Sequence, residues 1–125
     1  MSTSGYGADP TAATTFIGPT VQVTVAAGQS VYVNATKALG TTTAGGSGQL
    51  YLWVCYQTGA AAIQQVGGGI LGLQTSANNR NIYAINFDIP MLPAGTYTVG
   101  MCGYATTPAN WNSNEYGYLT ALVHN

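Results

Sequence analysis

Stretches of strict apolar–polar alternation, each closed by a turn signal, commit this chain to β-sheet. Val21, Val23 and Val25 share one side of Thr20–Ala26, and Thr20, Gln22 and Thr24 the other. Successive side chains of a strand point to opposite faces, so a period of two means one buried and one wetted face. Ala27-Gly28-Gln29 follows as a turn, with Gly28 free to take positive φ. Ser30–Thr36 alternates again around Val31 and Val33. In Leu50–Gln57 both faces are apolar, with Leu50, Leu52, Val54 and Tyr56 opposite Tyr51, Trp53 and Cys55. That pattern marks a central strand, or one whose second face meets another subunit.

Further strands are expected at Ala60–Val66, as a weak edge, and around Ile70, Leu71 and Leu73 beyond the Gly67-Gly68-Gly69 break. Three more follow at Asn81–Ile89, Ala94–Tyr104 and Glu115–Val123. Thr41–Gln49 reads as a surface loop. Ser76–Arg80 reads as a turn, with Asn78-Asn79 suited to left-handed geometry. Pro90 and Pro93 end the pairing, since neither supplies a ladder donor. The segments before Gly28 and before Gly95 echo each other: an apolar run, then Ala-Gly, then alternation, as in two similar strand-turn-strand corners.

No segment has helical periodicity. About eight strands at roughly ten-residue spacing predict an all-β, eight-stranded antiparallel sandwich of the jelly-roll kind. An immunoglobulin-like sandwich is the alternative, but Trp53 sits two residues before Cys55 rather than on the following strand. Residues 16–125 form the one domain that 125 residues predict. Residues 1–15, rich in Gly, Ser, Thr and Ala, are expected to be a flexible arm or linker.

Charged residues make up 4% of the chain, against about 25% in an ordinary soluble domain. A net charge of −1 offers no basic patch for nucleic acid and little attraction to an anionic membrane surface. No apolar run approaches the roughly 18 residues of a membrane span, so membrane insertion is not expected. Met1–Gly7 lacks the basic and apolar regions of a signal peptide. That points to a mature chain, or to one made in the cytoplasm and released by lysis. A surface so poor in ions suits a virion or extracellular protein that buries part of itself against copies, and a homo-oligomer is expected.

Cys55 and Cys102 lie on two strong strands. Either they form a bridge, stabilising by about 3–4 kcal/mol through a loop of roughly 45 residues, or they are two buried thiols acting as small hydrophobes. A cysteine paired with His124 is the sole nucleophile–base combination on offer, and His124 is penultimate with nothing nearby to orient it. No enzyme activity, cofactor or metal site is expected. One His and three acids scattered along the chain do not make a ligand set. The recognition candidates are Asn110, Trp111, Asn112 and Asn114 in the Thr106–Asn114 loop, with Tyr116 beyond it. An aromatic face stacks on a sugar ring, and amides donate to and accept from hydroxyls. Equally, Trp111 can fold back over a core edge while the Asn side chains build turns.

The alternating Thr/Val strands, the Pro93–Tyr104 segment PAGTYTVGMCGY and the Asn110–Val123 segment NWNSNEYGYLTALV resemble the tip and head domains of phage fibres and of bacterial collagen-like surface proteins. The resemblance covers about residues 16–125. It implies a small trimeric β-sandwich displayed at the end of a fibre or on a capsid. The chain is thus expected to be a non-enzymatic structural or adhesive domain: a fibre tip, head fibre or capsid decoration protein that trimerises. Tyr51 and Trp53 would meet a symmetry mate, and the Trp111 loop would face outward. Its partners would be itself, other virion or fibre proteins and a cell-surface glycan. The alternative is a secreted carbohydrate-binding module.

Overall fold

The computed structural model describes all 125 residues. Eight strands run in the order β1 (Ser2–Gly5), β2 (Thr15–Val25), β3 (Ser30–Thr41), β4 (Ser47–Gln57), β5 (Gln64–Thr75), β6 (Asn79–Ile89), β7 (Gly95–Ala105) and β8 (Gly117–His124). The one helical element is a 3₁₀ turn, Pro108–Asn110. Two four-stranded sheets result, with strand orders β1-β8-β3-β6 (sheet I) and β2-β7-β4-β5 (sheet II). Every pairing is antiparallel. This is the jelly-roll arrangement: of the seven connections, only β4 to β5 stays within a sheet. The two echoing corners are both crossings, β2 to β3 at Ala26–Gln29 and β6 to β7 at Pro90–Ala94.

The period-two pattern decides what lies between the sheets. Val21, Val23 and Val25 of β2, Val31 and Val33 of β3, Leu50, Leu52 and Val54 of β4, and Val99 and Met101 of β7 all point inward and are buried. Burying each such side chain stabilises by about 1.5–3 kcal/mol relative to exposure. Tyr97 joins them, and its hydroxyl donates to the Pro93 carbonyl at 2.7 Å, so the buried oxygen keeps a partner.

Three expectations are corrected. Residues 1–15 are not a free arm. Ser2–Gly5 is the edge strand of sheet I, paired with Thr120–Gly117, and the Met1 ammonium donates to the Ala121 carbonyl at 2.7 Å. Further along, Ala8 bridges Gly18 and the Ala105 N–H donates to Thr11 O. The reason is main-chain pairing to an open strand edge, which needs no apolar side chains.

The second correction joins the two short strands around Gly67–Gly69 into one, β5. Gly67, Gly69 and Gly72 all have positive φ, and the β4–β5 register shifts three times. The glycines let the strand bulge without ending it. Third, the Thr41–Gln49 loop is shorter than expected: β3 runs to Thr41 and β4 begins at Ser47, which leaves residues 42–46 between them.

Candidate functional site

The Trp111 loop was the first recognition candidate, and it faces inward. Trp111 is 2% exposed. Its indole N–H donates to Gly48 O at 3.1 Å, and its ring meets Tyr83 edge-on at 6.0 Å. Asn114 is also buried. Its amide donates to Trp111 O at 2.7 Å, and its carbonyl oxygen accepts from Gly40 N at 3.1 Å. Asn112 accepts from Thr42 N at 2.8 Å and from the Thr42 hydroxyl at 3.2 Å. Asn110 is half-buried, and Asn112 and Tyr116 are exposed. The loop therefore plugs the end of the sandwich. Its ring, the Asn114 amide and the Asn112 carbonyl oxygen are spent on the protein, which removes the ring as a sugar platform.

Cys55 and Cys102 are joined in a disulfide between neighbouring strands β4 and β7, with a Cα–Cα distance of 5.7 Å. The bridge lies within sheet II, not between sheets as the immunoglobulin arrangement requires. Neither sulfur is a thiol available to His124. Beside the bridge, on the outer side of sheet II, Tyr51 stacks on Tyr104 at 4.7 Å and Trp53 on Tyr104 at 6.1 Å. The Gly69 backbone abuts Trp53 so closely that a Cβ there would lie 2.5 Å from the indole nitrogen. Rings that stack across strands occupy one another's faces, and both Tyr51 and Trp53 are half-buried. The cluster reads as a brace on the sheet.

The exposed apolar surface lies instead on the outer side of sheet I. Register places Tyr32 opposite Leu122 and Thr36 opposite Tyr118, and Thr36 opposite Ala84 and Ala38 opposite Ile82. Ile82 is 77%, Tyr118 62% and Leu122 56% exposed. Asn34, Thr36, Asn86 and Thr120 fill the centre, all uncharged. Ions are confined to the ends of this face. At one end His124 Nε2 lies 2.8 Å from Asp88 Oδ1. That hydrogen bond raises the imidazole pKa above its ordinary value, with a further contribution from the Asn125 carbonyl. At the other, Arg80 donates to Ser113 O at 2.8 Å and to its hydroxyl at 2.9 Å.

Sequence reasoning missed this face, although the signal was present. In Glu115–Val123, Tyr116, Tyr118 and Leu122 alternate with Leu119, Ala121 and Val123, so both faces of β8 are apolar. It also missed Lys37, which has the inward parity of Val31, Val33 and Ala35 and is fully buried. Its ammonium donates to Tyr6 O and, at 3.2 Å, to Ala8 O. It also lies 3.3 Å from the Asp9 carboxylate and 4.0 Å from the Tyr6 ring centroid. Burial lowers the Lys37 pKa, while the Asp9 hydrogen bond and charge draw it back up. Burial and the Asp9 contact raise the pKa of Tyr6, whose hydroxyl donates to Asp9 Oδ2 at 3.0 Å. Lys37 thus fastens the N-terminal segment over one end of the barrel-like core. No three His, Cys, Asp or Glu side chains converge on a point where an ion would sit.

No protein-family model matches the chain, and no curated protein matches it.

Proposed function

We propose that this chain is a non-enzymatic structural or adhesive β-sandwich that associates with copies of itself, as a trimer, on the outside of a virion. In that setting it serves as a fibre tip, head fibre or capsid decoration protein. The observation that carries the reading is the outer face of sheet I: four strands wide, open, and without an ion between Arg80 and the Asp88–His124 pair. Ile82, Tyr118 and Leu122 stand exposed on it around an uncharged polar centre, and exposed apolar side chains gathered on one face mark contact surfaces. With 4% charged residues the chain has little else to hold it in solution. The disulfide suits a protein that works in an oxidising environment, as an exposed virion component does.

The carbohydrate-binding module loses ground, because the loop on which it rested closes on the protein's own backbone. Self-association moves from Tyr51 and Trp53 to the Tyr118–Leu122 region. The test is light scattering on the wild type and on Tyr118→Glu over a wide concentration range, with circular dichroism as a control for folding. The wild type should scatter as a multiple of 12.8 kDa, and the variant should fold and scatter as one chain. A wild type that stays monomeric throughout would end the reading.

A further inference from the structure

Two open sheets have four edge strands, and each edge presents unpaired main-chain N–H and C=O groups. Three of the four are blunted here. β1 is four residues long. β2 carries Pro19, and its register breaks between Phe16 and Thr20. β5 bulges at glycines of positive φ and shifts its register three times. β6 alone has none of these devices. Its eleven residues hold one unbroken register with β3 and include no Pro, Gly or Lys. The ladder shows which of its groups are free. In β3, Ala38 N–H donates to Tyr116 O, Gly40 O accepts from Ser113 N, and Thr41 O accepts from Asn78 N. A residue inside an antiparallel sheet turns both main-chain groups to one side, so the even residues of β3 serve β8 and the odd ones β6. Lys37 lies opposite Tyr83 and Ala35 opposite Ile85, which uses the odd residues of β6. Arg80, Ile82, Ala84, Asn86 and Asp88 direct their N–H and C=O outward, where no strand pairs with them.

We propose that this edge pairs with the same edge of a second copy, antiparallel about a two-fold axis at Ala84, so that sheet I runs on from one copy into the next. The contact goes beyond the function above: it uses neither Tyr118 nor Leu122 and stands or falls apart from the face. The sequence of the strand supports it. Centred on Ala84, the pairing sets Arg80 of each copy opposite Asp88 of the other, and Tyr83 opposite Ile85. Opposite charges and an aromatic with a β-branched side chain are both favourable cross-strand pairs. Moving the axis to Tyr83 or Ile85 loses the charge match. Arg80 keeps Nη1 free of its bonds to Ser113, and Asp88 keeps Oδ2 free of His124. Glu115, the other exposed acid, is bonded through its N–H to Ala38 O on the β8 side and is clear of the seam.

Size sets the strength of the contact. Eleven residues at about 3.4 Å each make a seam about 37 Å long and one sheet, about 10 Å, thick. That is roughly half of the about 800 Å² that one side of a standard stable interface buries. Free chains should therefore meet at this edge only transiently, and a dilute Tyr118→Glu chain still scatters as one. Copies held side by side reach effective concentrations in the millimolar range, and there the edges pair. A contact of this isologous kind closes after two copies.

The experiment is cysteine cross-linking in the Tyr118→Glu background, which removes the face contact. Both native cysteines are bridged, so an introduced thiol is the one thiol present. Ala84→Cys should oxidise to a covalent dimer at about 1 mM protein, the effective concentration of tethered neighbours. Its two Cα atoms would meet about 5.5 Å apart, a span that a disulfide bridges. Ile82→Cys and Asn86→Cys should each dimerise at least about tenfold more slowly alone, and should cross-link when mixed, since each faces the other. Arg80→Glu should slow the Ala84→Cys dimer about tenfold by setting like charges opposite each other, and adding Asp88→Arg should restore it. All these side chains are exposed, and circular dichroism checks the fold of each variant. Ala84→Cys dimerising no faster than Ile82→Cys alone, or a charge swap that restores nothing, would overturn the pairing. The face contact is judged separately, by the scattering of the wild type.

Discussion

Trp111 donates its indole N–H to the carbonyl of Gly48, 63 residues earlier in the chain and 3.1 Å away. The bond pins the β7–β8 loop to the start of β4. Asn114 and Asn112 add bonds to Gly40 and Thr42, on the other side of the same opening. The loop is therefore a stopper for the core, and the consequence is a stability effect rather than a binding one. Trp111→Ala should cost about 3–5 kcal/mol, in the range for truncating a buried aromatic. Trp111→Phe should cost less, losing mainly the bond to Gly48. Urea unfolding followed by circular dichroism measures both.

The Cys55–Cys102 bridge spans a sequence separation of 47. Reduction, or the Cys55→Ser/Cys102→Ser double variant, should lower stability by about 3–4 kcal/mol by freeing the unfolded chain. The sandwich should still form, because β4 and β7 remain paired along eight residues of register. Intact mass before and after reduction should differ by two hydrogens. Urea midpoints with and without reductant give the energy.

Lys37 and Asp9 should respond unequally to substitution. Lys37→Met keeps an apolar stem in the buried space and leaves behind an Asp9 side chain that is 41% exposed and can rehydrate. Its cost should be about 1–2 kcal/mol, chiefly the donors lost by the Tyr6 and Ala8 carbonyls. Asp9→Ala strands a buried ammonium, and its cost should be about 3–5 kcal/mol. In both, residues 1–9 should exchange amide hydrogens faster than in the wild type, as the segment loses its fastening.

His124 gives a pH dependence of known sign. Its pKa is raised in the folded chain by Asp88, from an unfolded value of about 6.5. The imidazolium–carboxylate pair therefore contributes in full below about pH 6.5 and is lost as the pH climbs through the higher folded value. Asp88→Asn should return the His124 titration, followed by NMR of its ring protons, toward the ordinary imidazole value. An unchanged titration in that variant would contradict the assignment of the shift to Asp88.

What was legible in the sequence was whatever depends on neighbours a few residues apart. The alternation of Val21, Val23 and Val25 specifies a strand and its buried face without help from the rest of the chain. So do Leu50, Leu52 and Val54, and with them the two-layer architecture. β1 was not legible, since Ser2-Thr3-Ser4-Gly5 has no apolar pattern and is a strand only because the edge of β8 lies beside it. β5 was hidden by its glycines, which break the period while the ladder to β4 continues. Nor could the sequence decide between a sugar-facing and a core-facing Trp111. That depends on where the Gly48 and Gly40 backbone lies, and those contacts are made from more than sixty residues away.

The most direct test of the central claim is hydroxyl-radical footprinting of the wild-type chain as its concentration is raised. In an isolated chain Tyr118 and Leu122 are 62% and 56% exposed, so both should be modified readily at low concentration. Association through sheet I predicts that they become protected together as the protein is concentrated, while Leu71, 59% exposed on β5 of the other sheet, keeps its rate. Modification of Tyr118 and Leu122 at the same rate across the whole range would contradict the account.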